Sequence, residues 1–72
     1  MNLPLLSVVA LLADVPEQGL TRGQIGTIVE LLRRGDEEAL LVEFSDDNGQ
    51  TYATAILKPE QLMPIHRRHE AA

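Results

Sequence analysis

Gly23-Gln24-Ile25-Gly26-Thr27-Ile28-Val29-Glu30 is the stretch from which the fold of this chain can be read. Two glycines bracket Gln24-Ile25, and three β-branched residues follow. Glycine serves where φ is positive or where another backbone passes close, because it has no Cβ to clash. Inside a strand it marks a bulge or a barrel corner. Thr27, Ile28 and Val29 are stiff at χ1 and suit a pleated surface better than a helix. The stretch therefore reads as a tight turn feeding a strand. A phosphate-cradling loop would need a helix after the glycines and a Lys-Ser/Thr pair; here a strand follows and no lysine stands in the stretch.

Downstream of this pivot the pattern stays extended. Ile25 to Leu32 makes one strand, Arg33-Arg34-Gly35-Asp36-Glu37 a turn, and Ala39 to Phe44 its antiparallel return. Asp36-Glu37-Glu38 also resembles a helix start with acidic residues in the first turn. Only about two helical turns would fit before Ser45, too few for a stable helix, so the hairpin is expected. Ser45-Asp46-Asp47-Asn48-Gly49 is a second hairpin signal, because Asn-Gly can supply positive φ at both central positions. Its acidic residues fail as a calcium loop. Counted from Asp46, Thr51 stands at the sixth position where glycine is needed, and Leu57 at the twelfth where glutamate is needed. Thr51 to Leu57 is a further strand. Lys58-Pro59-Glu60-Gln61 reads as one helical turn with proline at its first position. Leu62-Met63-Pro64-Ile65 closes the sheet as a short edge strand, where proline is tolerated.

Upstream, residues 1–13 are the most apolar part of the chain. They lack the basic residues of a secretory signal, and Asp14 ends the run well short of the about 20 apolar residues of a membrane span. A turn at Leu3-Pro4-Leu5 and a strand from Ser7 to Asp14 fit best, with a buried helix through Ala10-Leu11-Leu12-Ala13 as the alternative. The connection from Asp14 to Gly23 is rich in turn formers, and Leu20 is its expected inward anchor. Asp14, Glu17 and Arg22 are candidate contact residues on that loop. His66-Arg67-Arg68-His69-Glu70-Ala71-Ala72 reads as a tail outside the domain of residues 1–65. Its two histidines lack a third ligand and stand next to arginines, which disfavours a metal.

The whole is 72 residues with no cysteine, two aromatic residues (Phe44 and Tyr52) and a formal charge of -5. One domain is expected, without disulfide or thiolate–zinc support, so stability must come from a compact sheet or a partner subunit. The acidic balance disfavours a nucleic-acid backbone as ligand and suits a basic protein. No cofactor is implied. Ser7, Thr21, Thr27, Ser45, Thr51 and Thr54 lie in strands or turns with no histidine in reach, so no catalytic residue is nominated. A chain this short is also expected to have little room for a substrate pocket.

The spacing of Asp14, Pro16, Gly19 and Leu20, then Gly23, Gly26, Thr27, Ile28, Val29 and Glu30, then Val42, Glu43, Phe44 and Gly49, with Leu57 and Leu62 last, resembles a family of short bacterial proteins, domain of unknown function 4926. The likeness covers about residues 6–65. It departs at Leu41, where an aromatic often stands, and at the leucine-rich N-terminus. It implies an all-β, SH3-like five-stranded barrel with a single helical turn before the last strand. It lends no catalytic residue, and implies an accessory or antitoxin-like partner of another protein; a cytoplasmic location is expected.

A strand offers one face to a core, yet here both parities are apolar. Leu40, Val42 and Phe44 alternate with Leu41, while Ile28 and Leu32 alternate with Val29 and Leu31; Leu5, Leu6 and Ile56 add to the surplus. One set fills a barrel and the other needs cover, by a second copy or by a different protein. The candidate partner-binding residues are Leu5, Leu6, Glu30, Leu32, Leu41, Glu43 and Ile56, with Asp47 on the rim. The readings carried forward are a protein-interaction module that self-associates or binds a basic partner, a structural accessory subunit of a larger enzyme or photosynthetic complex, and, disfavoured by charge, a nucleic-acid-binding barrel.

Overall fold

The computed structural model describes residues 3–65, so the tail from His66 onward lies outside the described residues. Five strands form one antiparallel sheet: β1 Val8–Leu11, β2 Ile25–Arg34, β3 Glu37–Ser45, β4 Thr51–Leu57 and β5 Leu62–Pro64. Their order is β4-β3-β2-β1-β5. The sheet curls around one aliphatic core, giving the small all-β barrel that the family likeness implied. A 3₁₀ turn at Pro59–Gln61 precedes β5, as expected; a second, at Pro16–Gln18, punctuates the first loop.

Phe44, Ile28, Leu57, Leu62, Val9 and Val42 are the largest fully buried side chains. Val15 and Leu20 join the core from the long first connection, held by a bridge between them. Leu20 is thus the anchor its loop required. No charged or polar residue is buried among the described residues.

Several boundaries differ from the sequence expectation. β1 stops at Leu11 instead of Asp14, because Leu12 already donates to the Gln61 carbonyl and the chain turns into the loop. The β2–β3 turn is not five residues but two, Gly35 and Asp36, with Arg34 opposite Glu37 and Arg33 opposite Glu38. Opposite charges facing each other across the ladder extend both strands. Positive φ at Gly35 alone (63°) is the pattern of a II′ hairpin turn. The N-terminal turn runs one residue later than expected: Ser7 N–H and Oγ both donate to the Pro4 carbonyl.

The Asn48-Gly49 turn also takes a different form. Only Gly49 adopts positive φ, at 79°. Its N–H donates to the Asp46 carbonyl, while Asp46 N–H donates to Gln50 O, closing a three-residue loop. Asp46 Oδ1 accepts from the N–H groups of Asn48 (2.9 Å) and Gln50 (3.0 Å). This aspartate cap replaces the second positive-φ residue that a two-residue turn would have needed.

A bulge in β2 decides which face each apolar residue takes. Ile28 pairs with Val42 but Glu30 with Leu41, so Val29 is an extra residue. Beyond it the alternation inverts. Leu31 then opposes Leu40 and Leu32 opposes Ala39. Ile28 and Leu32 therefore do not share a face, which corrects the simple alternation read from sequence.

Candidate interaction face

The pairing registers bring most of the nominated residues into neighbouring rows. Glu30, Leu41 and Ile56 stand side by side across β2, β3 and β4. The adjacent row on the same face is Val8, Thr27, Glu43 and Thr54. Residues of this parity point away from Ile28, Val42 and Ala55, which are buried, so this is the outer face of the sheet. Ile56 is 59% exposed; Leu41 and Val29 are half-buried.

Leu5 and Leu6 are exposed in the N-terminal turn, whose backbone is tied to β2. Leu6 N–H donates to Ile28 O at 2.7 Å, which seats the turn beside the β2 bulge. Leu6 is 69% exposed and is the one non-glycine residue with positive φ (66°) among the described residues. A leucine in this region carries a backbone penalty of about 1–2 kcal/mol, spent here on a side chain that buries little. Sequence reasoning had selected Leu6 for its hydrophobicity but could not see its strain. Leu32 lies further along β2, half-buried opposite Ala39, and Asp47 sits in the β3–β4 loop at the far end of the face. These two border the patch more loosely than the rest.

Glu43 Oε1 accepts a hydrogen bond from Thr51 Oγ1 at 3.1 Å, and Glu30 is exposed. These two carboxylates therefore flank Leu41 and Ile56 on the outer face. At the first loop, Asp14 Oδ1 accepts from Arg22 N–H at 2.8 Å. That aspartate organises its own loop, while Glu17 and Arg22 remain exposed. Residues that sequence reasoning passed over include Ile25 and Met63, both about half exposed and both aligned with Ala10 on the outer face. The alternation around Ala10 could have marked them.

Two open hollows stand out on the surface. One, about 390 Å³, is lined by Asp36, Glu37, Glu38, Glu60, Lys58 and Pro59. The other, about 300 Å³, is lined mainly by Leu3, Leu31, Leu32, Ala39 and Leu40. Neither contains a serine, threonine or histidine. Among the described residues no group of three or more His, Asp or Glu side chains is placed to hold a metal ion, and no helix is long and apolar enough to cross a membrane.

The family model described as domain of unknown function (DUF4926) matches residues 5–64. The chain belongs to that family. No curated protein and no solved structure matches it. The matched span takes in all five strands of this DUF4926 chain, with both the bulged β2 and the Leu5–Leu6 turn.

Proposed function

We propose that this DUF4926 protein is a non-catalytic interaction module whose outer sheet face docks a basic protein. The observation that carries the reading is the apolar pair of exposed Ile56 and half-buried Leu41, bordered by Glu30 and Glu43, with the exposed Leu6 tied to the neighbouring β2. Contiguous exposed apolar surface rimmed by polar groups is the usual mark of a protein contact. The centre supplies area removed from water, at about 25 cal/mol per Å². The carboxylates supply orientation and a faster encounter with a positively charged partner. A formal charge of -5 on so small a chain favours the same class of partner.

The strained Leu6 supports this reading too, since backbone strain persists where a side chain must be presented. The test is affinity capture from the native cell with three baits: the wild type, Leu6→Ser/Ile56→Ser, and the surface control Gln18→Ser. A basic protein retained by wild type and control, released by added salt and absent from the double variant, is the expected result. Identical capture by all three baits sinks the proposal.

A further inference from the structure

We infer that β4 pairs edge to edge with β4 of a second copy, joining two barrels into a dimer with a continuous ten-stranded sheet. This rests on the backbone edge of the sheet, although Thr54 and Ile56 also belong to the docking face described above. β4 pairs with β3 on one side only. Among the described residues, none of the backbone hydrogen bonds outside the sheet ladders involves a residue from 51 to 57. Every second N–H and C=O along its free side is therefore open to another strand.

Native edges are normally blunted by proline, by charge or by shortness. The opposite edge, β5, is three residues long and contains Pro64. β4 has seven residues, Thr51-Tyr52-Ala53-Thr54-Ala55-Ile56-Leu57, with no charge and no proline. Its one irregularity falls between the Phe44–Ala53 and Ser45–Thr51 pairs, which makes Tyr52 an extra residue whose hydroxyl accepts from Gln24 Nε2 at 2.8 Å; from Ala53 onward the strand is regular.

The sequence of β4 is nearly self-complementary about Thr54. An antiparallel pairing centred there sets Thr54 against Thr54, Ala53 against Ala55, and Tyr52 against Ile56 of the second copy. Tyr52 and Ile56 are 51% and 59% exposed, and an aromatic opposite a β-branched residue is a favoured cross-strand pair. The two-fold makes that pair twice.

Charge permits the same register. Two chains of net charge -5 repel, so they must meet along a neutral strip. Glu43 is the row neighbour of Thr54. The two Glu43 residues would then stand three strand spacings apart, about 14 Å. That exceeds the screening length of about 8 Å at physiological salt. The register also brings Lys58 opposite Gln50 of the second copy, next to the acidic Asp46-Asp47 turn, once at each end of the interface.

The test uses the pure full-length chain in analytical ultracentrifugation from micromolar to millimolar concentration. The expected result is a concentration-dependent rise to twice the 7.9 kDa of one chain. Thr54→Lys sets two like charges on the two-fold and should abolish the rise, while Thr54→Ser preserves it. Circular dichroism confirms that each variant folds. Thr54→Cys provides a second readout, since the chain has no cysteine of its own. Cα atoms opposed across an antiparallel pair lie about 4.5–5.5 Å apart, within disulfide range. Mild oxidation should therefore give a cross-linked dimer that Glu30→Cys does not. A monomer at every concentration, a Thr54→Lys variant that still dimerises, or assemblies larger than a dimer would each overturn the inference. All three outcomes are independent of whether a basic partner is ever captured.

Discussion

Gly26→Ala isolates a packing requirement from a backbone one. Gly26 lies in extended β2 opposite Phe44 and is not among the glycines with positive φ. A Cβ there would meet Val42 Cγ1 at 2.7 Å, the Glu43 carbonyl oxygen at 2.8 Å and Phe44 Cδ1 at 3.0 Å. Ordinary carbon contacts are about 3.5–4.0 Å. The Val42 methyl could rotate away, but the Glu43 oxygen belongs to the neighbouring strand and cannot move without shifting the ladder. Overpacking of this kind costs about 1–3 kcal/mol. Replacing glycine also restricts the unfolded chain, which returns about 0.4–1 kcal/mol. With three clashes at once, the net is a loss of about 2 kcal/mol, from a total of about 4–11 kcal/mol for a domain of this length. At about 4–8 °C per kcal/mol, the melting temperature should fall by about 8–16 °C. Gly49→Ala is the control. Its φ is 79° but nothing lies within 4 Å of the added Cβ, so only the left-handed backbone penalty of about 1 kcal/mol applies. Thermal melts followed by circular dichroism, with urea titrations as a check, rank the two. A Gly26→Ala protein that melts at the wild-type temperature, or above Gly49→Ala, refutes the close-approach argument.

Three further outcomes are expected. Leu6→Gly relieves the positive-φ strain and, after the entropy cost of glycine, should raise stability by up to about 0.5 kcal/mol in a urea titration; capture of a basic partner should weaken at the same time. Phe44→Ala empties the centre of the core and should cost about 3–5 kcal/mol, a larger fall in melting temperature by circular dichroism than Gly26→Ala gives. Asp14→Ala removes the acceptor for Arg22 N–H and should cost about 1 kcal/mol, with faster amide exchange confined to residues 14–23 and the β4 edge unchanged.

The pivot stretch, with its paired glycines and β-branched run, determined that β2 exists and roughly where it starts. Turn chemistry located both hairpins, and Pro59 located the 3₁₀ turn before β5. These are local effects, decided within a few residues by φ preference and side-chain branching. The surplus of apolar residues in both parities was equally legible, since it depends only on composition and alternation.

Tertiary structure alone decided the rest. The bulge at Val29, which sends Leu32 to the opposite face from Ile28, shows only in the pairing of β2 with β3. Gly26 had to be glycine because Phe44, eighteen positions later, lies against it, and no local rule links the two. Leu6 is held at positive φ by hydrogen bonding to a strand more than twenty residues away. Strand order made β4 an edge. Pairing between distant segments sets register, and register sets which side chains meet, so the candidate face could be listed from the sequence but not assembled from it.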